Sequence, residues 1–562
     1  MPAQSEKVFI AVAWPYANGP LHLGHIAGCY LPADIFARYH RLKGNRVLMV
    51  SGSDQHGTPI TVRAEQEGLT PQQVVDKYHA SFLDSWKRLG ITFDLFTTTG
   101  TPNHRQVAHD MFLTLLNKGY ITKGTMLLPY CPTCRQFRPD RYIEGICPHC
   151  RYVGARGDQC DNCGRTLDPQ DLIEPKCRVC MSTPEFRESE HFFLKLTAFE
   201  KPLQDWVAQQ SEKAGWRLNV RNFTARYLAD GLKDRAITRD ISWGIPVPVP
   251  GFDSKRIYVW FEAVCGYLSA AKEWAQKQGA PDAWQHFWQD PSCRAYYFIG
   301  KDNIPFHTII WPAMLMGHGG LNLPHDVPAN EFLNLADMKF STSRNYAVWL
   351  PDYLDKYEPD PLRYVLSAAM PETSDANFTW ADYVRRNNQE LVATYGNLVH
   401  RTLTQVHRNF DGKFPQPGPL DPDDHALLHR LPQALDSTSD ALSKCSFRQA
   451  LGVAMSLAQD ANRYIDAKAP WKTRKTDIQR TATTLWVCLN VISCLRTITY
   501  PFLPFSAQKL HTLLGFAGDV QSSGWRLHNI KGGHPFPEPT PLFTKLDESL
   551  IESETAKLRS PT

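Results

Sequence analysis

The 562-residue chain is 43% hydrophobic and 21% charged, with a formal net charge of +4. This length exceeds what one hydrophobic core usually supports, so we expect three or more domains, with no disordered charged tail. No apolar run approaches the roughly 18–20 residues that span a bilayer, and residues 1–7 lack the apolar core of a signal peptide, which favours a cytoplasmic protein with no membrane segment.

A strand, a turn and a helix are predicted at the start of the chain. The β-rich run 8–13 is followed by a turn dense in Pro, Gly and Asn, and then by an apolar-periodic stretch at 26–42. His22 and His25 are three residues apart, so both face one side of the first helical turn. The N–H groups and dipole of a helix N-terminus suit phosphate, and Gly24 leaves room for a base or ribose. Taken alone, this pair indicates either a nucleotide site or two surface histidines.

Strand and helix signals alternate further along the chain, which is typical of a doubly wound parallel sheet with ligands at the carboxyl ends of its strands. A cysteine-rich segment interrupts this pattern, and a different, almost wholly helical pattern follows it. The α/β elements are a strand at 47–50, helices at 71–89 and 104–118, and sheet segments at 257–260 and 295–299. The later helical runs are 383–408, 423–443, 446–468, 477–499 and 504–514, with a weak helix at 546–558.

These patterns predict a Rossmann-like domain split by an insertion and followed by an α-helical bundle. The expected parts are 1–117 and 236–330 for the split α/β domain, 118–235 for the insertion, 331–385 for a connecting region, 386–520 for the bundle and 521–562 for a tail.

Eight of the fourteen cysteines fall in four Cys-x-x-Cys pairs. The pairs are Cys131/Cys134, Cys147/Cys150, Cys160/Cys163 and Cys177/Cys180. A disulfide framework is unusual in a large chain without an export signal, whereas four pairs supply the ligands of two tetrahedral sulfur sites. Structural Zn²⁺ at two sites is therefore expected, with an iron–sulfur cluster or redox thiols as alternatives, and several pairings would satisfy zinc.

Two downstream segments complete a resemblance to the class I aminoacyl-tRNA synthetases. Residues 300–307 (Gly-Lys-Asp-Asn-Ile-Pro-Phe-His) and 338–344 (Met-Lys-Phe-Ser-Thr-Ser-Arg), with His22 to His25, resemble the His-x-Gly-His motif and the mobile Lys-x-Ser-x-Ser loop of that class. Other segments are similar to the methionyl-tRNA synthetases, and to their archaeal-like subtype, from about residue 7 to about residue 535. They are 15–19 (Pro-Tyr-Ala-Asn-Gly), 54–59 (Asp-x-His-Gly-Thr-Pro), 258–260 (Tyr-Val-Trp) with Tyr267, and 469–471 (Ala-Pro-Trp).

The resemblance implies ATP-dependent activation of methionine, then transfer of the methionyl group to the 3′ end of methionine tRNA, initiator and elongator alike. Negative charge builds on a five-coordinate phosphorus, so positioning and electrostatics are expected to dominate catalysis, with Mg²⁺ accompanying ATP. The implied catalytic residues are His22, His25 and Lys339. The implied ATP-binding residues are His22, Gly24, His25, Asp302, Lys339, Ser341, Thr342 and Ser343.

Two of the ATP positions carry a second interpretation. Asp302 resembles the family residue that accepts from the ATP ribose hydroxyls, and its alternative is a helix N-cap. Thr342 stands where the family loop commonly has a second lysine, although the archaeal-like subtype shares the threonine. Arg344 is a candidate to supply a positive charge near this position.

The resemblance also implies a methionine pocket. Asp54 is expected to bind the α-ammonium group, and aromatic walls suit a polarizable thioether, towards which Tyr267 and His307 would present polar atoms. The implied pocket residues are Trp14, Tyr16, Asp54, Trp260, Ala263, Tyr267 and His307. Trp14 stands where leucine is usual, and Val264-Cys265 where Pro-Ile is common, so either the pocket is reshaped or the indole points elsewhere.

For the cysteines, the resemblance implies a zinc knuckle of the two inner pairs and a second, nested site of the two outer pairs. These sites would brace a hairpin over the active site and help to guide the tRNA acceptor end. In the helical domain, the implied anticodon-binding residues are Asn397, Arg401, Pro470 and Trp471. The tryptophan would stack an unpaired base while Asn397 and Arg401, four residues apart on one helix face, read base edges; the alternative for Trp471 is a buried core aromatic.

Three further expectations complete the sequence reading. Many family members continue into a dimerising domain for which this chain has no room, so a monomer is expected. A catalytically weak RNA-binding module on the same scaffold, or a pocket variant with altered analogue sensitivity, is the alternative function. Leucine, isoleucine and valine enzymes carry a large editing insertion, and the cysteine enzyme uses an active-site zinc, so these relatives fit the chain less well.

Overall fold

The computed structural model describes residues 5–157, 160, 162–163, 165, 167–340 and 346–558. Ser341, Thr342, Ser343 and Arg344, which the sequence assigns to the ATP loop, lie outside the described residues.

A five-stranded parallel sheet forms the centre of the α/β domain. In spatial order its strands are Ala329–Asn330, Arg294–Gly300, Lys7–Val12, Arg46–Ser53 and Leu95–Thr98. Side chains of the central strand alternate between two buried cores: Ile10 and Val12 pack on one face of the sheet, and Phe9 and Ala11 on the other. A parallel sheet covered on both faces requires such a continuous apolar strand, and the predicted Rossmann-like sheet is confirmed.

Helices cover both faces of this sheet. Leu31–Leu42 and Pro71–Leu89 contribute to the core that contains Ile10, and Pro102–Asn117 and Val259–Lys277 to the core that contains Phe9. The N-terminal turns Leu23–His25 and Ile26–Tyr30 lead without a break into Leu31–Leu42, and Gln285–Trp288, Phe306–Ile310 and Trp311–His318 complete the helices of this domain.

The order in which strands join the sheet reverses beside Lys7–Val12. The chain first adds Arg46–Ser53 and Leu95–Thr98 on one side, and much later adds Arg294–Gly300 on the other. Ligands of doubly wound sheets bind outside the carboxyl ends of the strands at such a switch point. The segments that leave the two strands at this point begin at Ala13 and Lys301, and they carry several of the residues expected to bind ATP and methionine, among them His22, Asp302 and His307.

An inserted unit separates the two halves of the sheet. Its main feature is a long antiparallel pair, Ile121–Cys131 with Glu185–Leu194, extended by Gln136–Phe137 and Arg235–Ala236. Between the two long strands the chain forms a second antiparallel sheet of Ile143–Ile146, Val153–Arg156 and Ile173–Cys177, and after them come helices Glu200–Lys213 and Leu218–Ala229.

Short elements connect the sheet to the helical domain. They are the strand pair Thr238–Arg239 and Arg256–Ile257, the three-stranded sheet of Leu333–Leu335, Met338–Lys339 and Ala376–Phe378, and helices Leu350–Leu354 and Pro359–Ala368. The helical domain then contains Trp380–Arg386, the wider π-helical turns Asn387–Gly396, and helices Asn397–Asn409, Pro422–Ser443, Phe447–Lys468, Pro470–Thr473, Ile478–Thr499, Pro504–Leu513, Val520–Ser523 and Ser549–Leu558. The helical runs predicted from the sequence are confirmed.

One helix corrects the expectation that no segment is long and apolar enough to span a bilayer. Ile478–Thr499 has 22 residues and a mean hydropathy of 1.3, because scattered Thr, Asn and Ser residues interrupt the apolar run without lowering its average much. Since 94% of its apolar window is buried inside the protein, it is the central helix of the bundle.

Candidate active site

A cavity of about 460 Å³ lies where the two central strands, Lys7–Val12 and Arg294–Gly300, end. This volume lies within the range of about 300–1,000 Å³ that is typical of small-molecule sites. The cavity brings together twelve residues that the sequence singles out: Trp14, Tyr16, His22, Gly24, His25, Asp54, Trp260, Ala263, Tyr267, Asp302, His307 and Lys339.

The two histidines of the first helical turn stack on each other, with ring centres 3.7 Å apart. The main-chain N–H of His22 donates to Nδ1 of His25 at 3.2 Å, so the proton of the neutral His25 ring is on Nε2. Burial lowers the pKa of His25 to about 4, and burial together with the neighbouring His25 lowers the pKa of His22 to about 2. Both rings are therefore neutral at pH 7, and such rings can offer hydrogen-bond donors but no positive charge.

Phe340 joins the ATP loop to this first motif. Its ring lies against the His22 imidazole, with centres 4.7 Å apart and planes 9° from parallel. A Cβ on Gly24 would come within 2.9 Å of His22 Cε1 and 3.3 Å of Phe340 Cδ2, so glycine is the residue that permits this stack. Beyond the loop, the main-chain N–H of Leu350 donates to the Leu21 carbonyl at 2.8 Å. The two motifs, more than 300 residues apart in sequence, are thus in direct contact.

Lys339 and Asp302 lie at the same end of the cavity. Lys339 belongs to the short strand Met338–Lys339 and is exposed, with Nζ 5.1 Å from the centre of the Phe332 ring. Asp302 lies inside the turn Lys301–Asn303, whose N-cap is Gly300, so the N-cap alternative for Asp302 is wrong. Burial raises the pKa of Asp302, against the opposing effect of Lys301 and Lys339.

Asp54 also lines the cavity and is fixed by the main chain. Its N–H donates to the Pro15 carbonyl at 2.8 Å, its carbonyl accepts from Ala17 at 2.9 Å, and its Oδ1 accepts from the N–H of His56 at 3.1 Å. Burial, and then the nearby Glu262 carboxylate, raise the pKa of Asp54 well above the usual range. A cation placed beside Asp54 would relieve this penalty, because an opposite charge favours the ionised form.

Beneath Asp54 lies a buried network that the sequence reading missed. One carboxylate oxygen of Glu262 pairs with His56 Nδ1 at 2.6 Å and the other with His104 Nε2 at 2.7 Å. The second nitrogen of His104 pairs with Ser269 Oγ at 2.9 Å. His56 belongs to a motif that the sequence reading quoted, but the partners of the network come from helices distant in sequence, so only the fold reveals it.

The polar atoms of Tyr267 and His307 are paired with each other. The Nδ1–H of His307 donates to the Asn303 carbonyl at 2.8 Å, so its Nε2 accepts from the Tyr267 hydroxyl at 2.7 Å. Burial lowers the pKa of His307 to about 4, which keeps the ring neutral. The polar hydrogens of both side chains are therefore used within the protein. The two residues form a closed polar pair in the cavity wall.

Aromatic rings form most of the remaining wall. Tyr16 and Trp260 meet edge to face at 6.2 Å, and Trp260 stacks on Phe306 at 4.3 Å. Trp14 also lines the cavity, edge to face with Tyr267 at 6.5 Å. Such rings offer a polarizable, apolar surface.

The eight paired cysteines come together as two groups of four. Cys131, Cys134, Cys177 and Cys180 form one group, and Cys147, Cys150, Cys160 and Cys163 form the other, with all Sγ atoms of a group within 4.8 Å of one another. A tetrahedral Zn²⁺ with Zn–S bonds of about 2.3 Å requires S···S separations of about 3.8 Å, which these groups fit. Arg135, Arg151 and Met181, which each follow a Cys-x-x-Cys pair, have positive φ and turn the chain back around the sulfur atoms.

The expected anticodon-binding residues lie on neighbouring helices of the bundle. The guanidinium of Arg401 donates to Asp466 at 2.7 Å and to Asn462 at 3.2 Å, and lies 5.7 Å from the centre of the Trp471 ring. Trp471 is 37% exposed, and Asn397 is exposed one helical turn before Arg401. Pro470 is buried at the start of the short helix that carries Trp471. An exposed indole beside a fixed guanidinium leaves the core interpretation of Trp471 without support.

Comparisons with known proteins agree with this architecture. The family model described as tRNA synthetases class I (M) matches residues 8–403, and the model of the anticodon binding domain of methionyl tRNA ligase matches residues 414–560.

Similar proteins extend over nearly the whole chain. A methionine–tRNA ligase of Dehalococcoides mccartyi is 58% identical over 554 residues, covering 99% of this chain and 100% of the relative. One of Thermomicrobium roseum is 52% identical and covers 98% and 99%. The solved structure of Mycobacterium tuberculosis methionyl-tRNA synthetase in complex with methionyl-adenylate is 26% identical, with a TM-score of 0.79 over 96% of this chain and 99% of that one. The chain therefore belongs to the class I methionyl-tRNA synthetases, the methionine–tRNA ligases.

Proposed function

We propose that the 460 Å³ cavity is where this ligase activates methionine with ATP, and that its helical bundle recognises the methionine tRNA anticodon. One observation carries the proposal: the His22–His25 pair and the Lys339–Phe340 segment meet in a cavity that Asp54 and several aromatic rings also line.

We assign the binding of the ATP phosphates to the neutral imidazoles and to the Lys339 ammonium group. A methionine carboxylate oxygen attacks the α-phosphorus of ATP, a P–O bond forms, and pyrophosphate leaves. The Nε2–H of His25 is available to a phosphate oxygen, and the exposed Lys339 ammonium to the triphosphate. Mg²⁺ accompanies ATP through its phosphate oxygens. We further propose that Asp302 accepts from the ribose hydroxyls, and that Ser341, Thr342 and Ser343 belong to the same loop site.

At the amino-acid end, Asp54 binds the α-ammonium group, since the cation stabilises the charge of a carboxylate that burial disfavours. The closed Tyr267–His307 pair offers no free donor, which suits a thioether because it needs none. In the second step, a ribose hydroxyl at the tRNA 3′ end attacks the methionyl carbonyl and AMP leaves.

The two cysteine groups are proposed as structural Zn²⁺ sites. Four thiolates around one ion leave no open position for substrate, so each site stabilises the fold of the inserted unit instead of taking part in the reaction. We propose that the unit braced in this way helps to guide the tRNA acceptor end.

We also propose that the enzyme acts as a monomer in the cytoplasm. Light scattering should give a mass close to the chain's 63.9 kDa, and a mass of twice that value would contradict a monomer.

Pyrophosphate exchange with ATP tests the activation step. We expect exchange with methionine and none with leucine, isoleucine, valine or cysteine at the same concentration. A pocket variant would exchange with a different amino acid, and an RNA-binding module without catalytic power would show no exchange at all, so either result would overturn the proposal.

A further inference from the structure

The indole of Trp14 lies between two glycines from different elements. Gly52 belongs to the strand Arg46–Ser53, and Gly266 to the helix Val259–Lys277. A Cβ built on Gly52 would lie 2.6 Å from Trp14 Cη2, and one built on Gly266 would lie 2.7 Å from both Cε2 and Cζ2. These separations are shorter than any real Cβ contact, so the two glycines form a slot that admits the indole, here called the indole slot.

Backbone conformation does not explain why these positions are glycine. Neither residue has a positive φ, so an L side chain would be compatible with the backbone at both. Gly266 is buried in the middle of a helix, where glycine is less favourable than alanine. The nearest atoms around a Cβ on Gly266 belong to Trp14, whereas Gly52 also faces the Thr97 carbonyl at 2.5 Å. Gly266 is therefore the position at which contact with the indole is what excludes a side chain.

Packing holds the indole in the slot, without a hydrogen bond from the ring nitrogen to any described residue. Its Nε1 is buried and has no hydrogen-bond partner among the described residues. Its aromatic neighbours among the described residues are the rings of His104 at 6.2 Å and Tyr267 at 6.5 Å. A methyl group on Gly266 would press the indole towards Gly52, where there is no space, so the ring would have to swing into the cavity that it borders.

We propose that Gly266 is a positioning residue for Trp14 and, through the indole, a determinant of amino-acid specificity: the indole slot holds the ring out of the space that the methionine side chain needs. This inference rests on the proposed assignment of the cavity to methionine. It concerns the binding of the amino acid and not of the phosphates. Among the described residues, the indole makes its ring contacts with His104 and Tyr267 and not with His22.

The test compares Gly266→Ala in two backgrounds by ATP–pyrophosphate exchange. In the wild-type background we expect the KM for methionine to rise at least tenfold and the KM for ATP to stay within twofold. In the Trp14→Leu background the same alanine should change the KM for methionine less than twofold, because the clashing ring is gone. Trp14→Phe repeats the comparison if the leucine variant does not fold. Gly452→Ala is the matched control, since Gly452 is also helical but a Cβ there meets nothing within 4 Å.

Two results would overturn the inference while the wild type remains active with methionine. Equal losses in both backgrounds would mean that Gly266 serves helix packing, and an unchanged KM in the wild-type background would mean that no slot exists. Failure of the proposed function would look different, because the wild type itself would then lack methionine-dependent exchange.

Selectivity between methionine and the longer ethionine supplies a second readout that a purely structural role would not move. Trp14→Leu should raise the kcat/KM for ethionine relative to that for methionine at least fivefold, and Gly266→Ala should lower the same ratio. A ratio that stays constant in both variants would contradict a role in specificity.

Discussion

The Phe340 ring lies flat on the His22 imidazole, with ring centres 4.7 Å apart and planes 9° from parallel. This contact joins the loop that carries Lys339 to the helix N-terminus that carries the histidine pair. It brings the two motifs into direct contact at the cavity.

Replacing Phe340 with alanine should therefore slow activation. An aromatic pair is worth about 0.5–1.5 kcal/mol beyond its buried area, so kcat for pyrophosphate exchange should fall about 3–10-fold as Lys339 loses its anchor. Phe340→Tyr keeps the ring and should retain most of the activity. An unchanged kcat in Phe340→Ala would mean that the stack plays no part in positioning Lys339.

The metal assignment predicts two zinc ions per chain, measured by elemental analysis of reduced protein. Cys147→Ser should leave one ion and lower the thermal stability, while the KM for methionine stays within about twofold, because the group has no open position for substrate. Cys494→Ser is the control, since this buried thiol lies outside both groups and should leave both ions in place. One ion or none in the wild type would contradict the two-site arrangement.

The exposed indole of Trp471 predicts a separation of tRNA recognition from activation. Loss of a stacked base costs about 1–3 kcal/mol, so Trp471→Ala should reduce aminoacylation of methionine tRNA at least tenfold. Pyrophosphate exchange, which needs no tRNA, should stay within about twofold, and Arg401→Ala should behave alike. Ile478→Ala provides a control at another exposed apolar residue of the same domain. Equal losses in both assays would show that Trp471 and Arg401 stabilise the fold instead.

Buried histidines predict a loss of stability on the acid side. Burial lowers the pKa of His307 from 6.5 to about 4, so below pH 6.5 the unfolded chain binds a proton that the folded protein does not. Stability is therefore lost as the pH falls from about 6.5 towards 4, by about 1.4 kcal/mol for this residue at pH 5.5.

The matching experiment compares melting temperatures at pH 7.5 and pH 5.5. His307→Gln removes this titration, so its melting temperature should fall by about 2 °C less than that of the wild type over the same interval. The same pH dependence in both proteins would contradict a lowered pKa for His307.

Local pattern was enough to predict most of the fold. The β-rich run at the start of the chain predicted a strand, and Phe9 and Ile10 of that strand pack in opposite cores. The cysteine spacing predicted two sulfur sites, but the grouping of pairs rested on resemblance, because spacing alone allows several pairings.

Contacts between distant segments could not be predicted in this way. In the sequence, nothing distinguishes Glu262 from other helical residues. Only the fold brings His56 and His104 to its two carboxylate oxygens. The hydrogen bond between Tyr267 and His307 was not predicted either; it forms because a buried hydroxyl and a buried imidazole nitrogen are costly to leave unpaired. Likewise, the volume of Trp14 suggested a reshaped pocket, and only the two facing glycines show where the ring is accommodated.

Methionine-dependent ATP–pyrophosphate exchange in His22→Ala and Lys339→Ala tests the central claim most directly. Both variants should retain the wild-type melting temperature to within a few degrees and lose at least about 100-fold in exchange, since interactions made only in the transition state typically contribute about 3 kcal/mol each. Near-normal exchange in both folded variants would contradict the assignment of this cavity as the site of methionine activation.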